Sequence, residues 1–142
     1  MIACIRIWLL AITLFGLAVA NAHATEPQPA HFVMQMTVGD SDVQRRAFLQ
    51  IAKVLEDIGP DKVKIDVVAY EGGINSLLAE NNDTATLLAA LAQQGVRFKA
   101  CRISMRGHGL KEEHFPMEVE FVPAGAPEMV RLQIKGYRYW RP

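Results

Sequence analysis

Cys101 is the residue in this chain best suited to reactive chemistry. It closes a strand-like run, Val96 to Cys101, and stands where that run turns into the next segment. Backbone amides at the start of a helix favour a thiolate over a thiol. Lys99, Arg102, Arg106 and His108 lie close by in sequence and bring positive charge to the same stretch. A thiol whose pKa is lowered in this way attacks sulfur electrophiles well near neutral pH. The same position also suits a small buried hydrophobe, the common state of a free cysteine. The basic neighbours equally suit a solvated face, so the residues alone leave both readings open.

Other side chains extend the set of candidates. His108 sits between Gly107 and Gly109, seven residues past Cys101. A glycine-flanked histidine can fold over a thiol and give it a proton; the plainer reading is an exposed loop histidine. Gly72-Gly73 would let backbone approach a ligand closely, and the plainer reading is a turn that needs positive φ. With Arg102 and Arg106, these glycines are the candidate binding residues. Met34 and Met36 share a strand face, and His114 precedes Met117. Soft sulfur and imidazole suit copper, but the Met pair lies in an apolar strand and no dense Met/His motif exists, so neither metal nor cofactor is expected. Tyr137, Tyr139 and Trp140 suit a pocket, a subunit interface or core packing. Asp40 and Asp42 read as helix caps rather than acids. Neither G-x-G-x-x-G nor a P-loop is present.

These residues need elements to position them. His31 to Val38 reads as a strand, and Gly39 to Asp42 as a turn with N-cap chemistry. Val43 to Ile58 carries Ala47, Phe48, Ile51, Val54, Leu55 and Ile58 at helical spacing. Gly59-Pro60 stops it. Lys64 to Tyr70 is a second strand, apolar enough to be covered on both faces. Glu71-Gly72-Gly73 is a tight turn, and Ile74 to Leu78 a short helix. Thr84 to Gln94 is a helix ended by Gly95. In the third strand, Val96 to Cys101, Phe98 and Ala100 face one way while Arg97, Lys99 and Cys101 face the other. Ile103 to His114 is ambiguous. Met117 to Val122 is a strand, Glu128 to Ile134 a helix with Pro127 in its first turn, and Gly136 to Trp140 a final short strand. This alternation predicts a three-layer α/β/α sandwich around a mostly parallel five-stranded sheet. Sites in such sheets form at the carboxyl ends of strands, where Gly39-Asp40, Glu71 to Gly73 and Cys101-Arg102 all fall.

The ends and the composition set the context. Arg6, the apolar run Ile7 to Ala20 and Ala22-His23-Ala24 make a cleavable signal peptide over residues 1–24, cut between Ala24 and Thr25. The run is shorter than the roughly 20 residues of a membrane span. Residues 25–30, with Pro27 and Pro29, read as a flexible leader, and 31–142 as one domain. The expected location is the periplasm, with no membrane attachment after cleavage. The chain has 15 basic and 15 acidic residues, and no basic cluster that would serve nucleic acid. It has two cysteines, and Cys4 leaves with the signal. An exported chain with one remaining cysteine has no disulfide partner within itself, so that thiol is either buried and inert or free and in need of explanation.

Three segments carry a resemblance. Gly95-Val96-Arg97-Phe98-Lys99-Ala100-Cys101, followed by Ile103, Ser104 and Met105, resembles the cysteine segment of DsrE-like proteins. Val67 to Ile74 resembles that family's strand-glycine turn, and Val122 to Tyr139 its ending. The resemblance implies the three-layer fold and assembly into trimers or hexamers. It also implies a sulfur carrier or sulfurtransferase-like protein, holding sulfane sulfur as a persulfide on Cys101. Its partners would be a small sulfur donor and a thiol acceptor. The better-known relays of the family are cytoplasmic, whereas this chain carries an export signal. The alternative is a non-catalytic module for a small ligand or protein, with Cys101 structural.

Overall fold

A computed structural model describes residues 28–142. The expected signal peptide, its Ala24/Thr25 site and the first half of the leader lie outside the described residues. The end of the leader is ordered: Ala30 already belongs to the first strand, β1 (Ala30–Met36). Helix α1 (Ser41–Ile58) follows as its caps and periodicity predict. Asp40 is extended, and its carboxylate accepts the Val43 N–H at 2.9 Å, satisfying a donor the helix itself cannot. Ala47, Phe48, Ile51 and Leu55 are buried, Val54 half-buried, and Ile58 lies exposed at the end of the helix.

Strand β2 (Val63–Ala69) is almost wholly buried. The expected turn and short helix that follow are instead one 3-10 helix, Glu71–Leu77. Two close approaches explain the difference. A Cβ on Gly73 would lie 2.1 Å from the Met36 carbonyl oxygen, and one on Gly72 3.0 Å from the Gly39 Cα. These glycines therefore let the segment pack against the end of β1. Neither has positive φ; Glu71 does, at 51°. The room their missing side chains leave is taken by the protein's own backbone, so the close approach is not one to a ligand.

Helix α2 (Ala85–Gln93) leads through Gly95, at φ 90°, to β3 (Arg97–Cys101). The ambiguous stretch contains α3 (Arg102–Gly107) and a 3-10 turn, Glu112–His114. Next come β4 (Val119–Val122), α4 (Gly125–Ile134) and β5 (Arg138–Trp140). Pro127 falls in the first turn of α4, where no amide donor is missed.

All five strands are parallel, in the order β4-β3-β2-β1-β5. The main core lies on one face, where α1 and α2 cover Met34, Met36, Ile65, Val67, Phe98 and Ala100. Phe48 and Phe98 meet there with ring centres 5.3 Å apart. Among the described residues, α4 is the helix that covers the opposite face, through Met129 and Leu132 on Val33 and Val68. Met34 and Met36 are thus core residues, and Met117 is fully exposed. Among the described residues, no helix is long and apolar enough to cross a membrane, and no group of three or more His, Cys, Asp or Glu is placed to hold a metal.

Candidate functional site

The alternation along β3 turns Arg97, Lys99 and Cys101 toward the face that α4 covers. Immediately after Cys101 the chain enters α3, whose Met105 joins the main core on the other face. After β4 the chain enters α4 on the second face. Adjacent strands β3 and β4 therefore send their connections to opposite sides, and Cys101 pairs in register with Val122 at the mouth of that division. This is the carboxyl end of the sheet, where parallel sheets place their sites.

At this position Cys101 is only 3% exposed. The Gly125 N–H, the first of α4, donates to Cys101 Sγ at 3.2 Å. Cys101 occupies the N-cap position of α3 without a well-formed cap bond. The Ser104 hydroxyl and the N–H groups of Ser104 and Ile103 nevertheless lie close enough to favour its charged form. Ser104 Oγ accepts the Glu71 N–H at 2.7 Å through a lone pair, which leaves its own proton to turn toward the sulfur. Burial is the largest single influence and pushes the thiol pKa up. The donors from Ser104, Gly125 and Ile103 together outweigh it, and the net shift is below the ordinary cysteine value.

Tyr70 forms the other wall. A Cβ on Gly125 would lie 2.6 Å from Tyr70 Cδ1, so the ring presses directly on the glycine that holds the sulfur. The Tyr70 hydroxyl accepts from Gln35 Nε2, and Tyr139 donates to Gln35 Oε1 at 2.6 Å. Burial raises the Tyr70 pKa, so the phenol stays neutral near pH 7.

Of the basic residues expected around the thiol, Arg102 and Lys99 are engaged elsewhere, and Arg106 and His108 are exposed. Arg102 pairs with Glu112 and lies over the Phe121 ring, 5.3 Å from its centre. Lys99 sits among the carboxylates of Glu128 at 3.1 Å, Glu120 at 3.3 Å and Asp66 at 3.7 Å. Arg106 is exposed in the last turn of α3. His108 is the exposed C-cap of that helix. Seven residue steps carry it about 10 Å along the axis from Cys101, away from a proton donor's place. Hydrogen-bond donors, rather than the basic side chains, lower the thiol pKa. Sequence reasoning did not single out Ser104, Gly125 or Tyr70. The Cys-x-x-Ser spacing, which matches an N-cap with its N3 residue, is the signal that points to Ser104.

The fold and this site together define a parallel α/β/α domain with a stabilised thiol at the carboxyl end of its sheet. The sequence pattern of the DsrE/DsrF-like family matches residues 30–141, and the chain belongs to that family, which is associated with sulfur relay. Among solved structures, it is similar to a protein of unknown function from Methanobacterium thermoautotrophicum. That likeness has 28% identity and a TM-score of 0.74, and covers 80% of this chain and 99% of the other. No curated protein matches it.

Proposed function

We propose that the protein is an exported sulfur carrier that holds sulfane sulfur as a persulfide on Cys101. The observation that supports this most is the Gly125 N–H directed at a buried sulfur whose pKa is lowered despite that burial. Burial alone would have made the thiol inert. In the loading step the Cys101 thiolate attacks the outer sulfur of thiosulfate. A Cys101 S–S bond forms, the donor's S–S bond breaks, and sulfite leaves with the electron pair. A polysulfide donor reacts likewise and leaves one sulfur shorter. In unloading, an acceptor thiolate takes the outer sulfur and Cys101 departs as thiolate, again stabilised by the same donors. The reading includes cleavage at Ala24/Thr25, a periplasmic location and a trimeric or hexameric assembly. Exposed Val130 and Ile134 on α4 suit such an interface.

The rival reading, a ligand- or protein-binding module with a structural Cys101, draws on the low exposure of the sulfur. Intact mass spectrometry after incubation with polysulfide or thiosulfate separates the two. A gain of one sulfur atom, absent from Cys101→Ser and reversed by reductant, is the expected result. A folded protein with reduced thiol that takes up no sulfur from either donor overturns the carrier reading.

A further inference from the structure

The second sheet face carries a cluster of charge that the thiol chemistry above does not use. Asp66 on β2 is fully buried, and Arg97 on β3 grips it through two hydrogen bonds of 2.9 and 2.8 Å. Lys99, also buried, lies among the three carboxylates named above. Of these three, only Glu128 belongs to α4. Its Oε1 accepts from Lys99 Nζ at 3.1 Å, and its Oε2 accepts from Arg131 Nε, one turn along the same helix, at 3.1 Å. Both oxygens are committed: one to the sheet, one to the helix.

The spacing links this pair to the sulfur. Lys99 and Cys101 are neighbours on one face of β3, about 7 Å apart along the strand. Glu128 and Gly125 are three residues apart, side by side on α4 at about 5–6 Å. The helix start is therefore fastened to β3 at two adjacent points, Gly125 on Cys101 and Glu128 on Lys99. A hydrogen bond to sulfur alone is a weak tether, whereas a charge-assisted hydrogen bond between largely buried partners is markedly stronger.

We infer that Lys99 and Glu128 are positioning residues for Cys101: their ion pair fixes the first turn of α4 against β3 and so keeps the Gly125 N–H on the sulfur. The inference deepens the thiolate reading of Cys101 and rests on it, but is indifferent to which electrophile the thiolate meets. The charged and titratable groups facing the pair and the sulfur are Asp66 from β2, Tyr70 just past its end, Arg97 from β3, Glu120 from β4 and Arg131 from α4.

The sign of one titration tests it. The ultraviolet absorbance of the thiolate is followed against pH in the purified protein, with the Cys101→Ser trace subtracted. Glu128→Gln removes a negative charge near the sulfur, and through-space electrostatics alone would lower the thiol midpoint. Loss of positioning raises it instead, by about one pH unit for a weakened bond to a charged acceptor. Glu128→Asp keeps the charge but shortens the reach, and also raises the midpoint. This second variant carries the test should Glu128→Gln fail to fold. Glu120→Gln, which removes a Lys99 partner that holds nothing on α4, does not raise it. An unchanged or lowered midpoint in a folded Glu128 variant overturns the inference, as does an equal rise in Glu120→Gln. The titration reads ionisation and mass spectrometry reads sulfur uptake, so failure of the carrier reading leaves this result intact.

Discussion

Replacing Gly125 by alanine tests the site at its tightest point. The new methyl would meet Tyr70 Cδ1 at 2.6 Å and Tyr70 Cβ and Cγ at 2.7 Å. Real Cβ atoms do not approach so closely, so either the ring or the start of α4 must move. The ring is held through its hydroxyl to Gln35, and Gln35 to Tyr139. The helix is held at Glu128, one turn further on, so the displacement falls on Gly125 itself and draws its N–H off Cys101 Sγ. Overpacking of this kind costs about 1–3 kcal/mol. Losing a hydrogen bond to a charged acceptor, worth about 1.5–3 kcal/mol, raises the thiol pKa by about one to two units. The assays are urea denaturation and titration of the thiolate absorbance, both against the unaltered protein. A control isolates the cause. In a Tyr70→Ala background the methyl has room, and Gly125→Ala should then cost much less, with a coupling in the range of about 0.5–3 kcal/mol. If Gly125→Ala leaves both stability and thiol midpoint unchanged, the Tyr70–Gly125–Cys101 stack does not control the thiol and the account of the site is wrong.

Three other outcomes are expected. Ser104→Ala removes the acceptor for the Glu71 N–H and the hydroxyl beside the sulfur; it should destabilise by about 1–3 kcal/mol and raise the thiol midpoint, as denaturation and titration will show. Gly73→Ala would drive a methyl into the Met36 carbonyl at 2.1 Å and should cost about 3 kcal/mol or more, seen as a large fall in denaturation midpoint. Burial pushes the Glu128 pKa up, but Lys99 and Arg131 pull it down further, to a net value below the ordinary one. Its stabilisation is therefore complete above the unfolded glutamate pKa of about 4.3 and is lost as pH falls through the lower folded value. Glu128→Gln should flatten that part of the stability–pH curve, measured by denaturation across the acid range.

The order and type of the elements were legible in the sequence because each carries a strong local signal. Asp40 caps α1, Gly95 ends α2, and apolar spacing marks the buried face of α1. The alternation along β3 also placed Cys101 and Lys99 together on the face away from Phe98. What failed was local geometry imposed from a distance. The Glu71–Leu77 segment winds as a 3-10 helix because Gly72 and Gly73 must pass the end of β1, more than 30 residues earlier. His108 looked close to Cys101 in sequence, yet a six-residue helix separates the two. The donors at the sulfur come from Gly125 and Ser104, and the ring behind Gly125 from Tyr70; only Ser104 is a near neighbour in the chain. The basic residues around Cys101 implied an electrostatic site, but Glu112, Glu120 and Glu128 claim Arg102 and Lys99. Local sequence gives no sign of those partners.

The near-complete burial of Cys101 makes the thiol a built-in clock for the protein's own breathing. A bulky alkylating reagent cannot reach the thiol of a residue that is 3% exposed, so each modification waits for an opening. Where closing outpaces the reagent, the modification rate measures the equilibrium between closed and open forms; at high reagent concentration it levels off at the opening rate itself. Since the sulfur is held by the first amide of α4, that plateau times the undocking of α4. A small sulfur donor would need a lesser excursion than a bulky maleimide, so comparing reagents of increasing size would measure how wide the fold opens and how often.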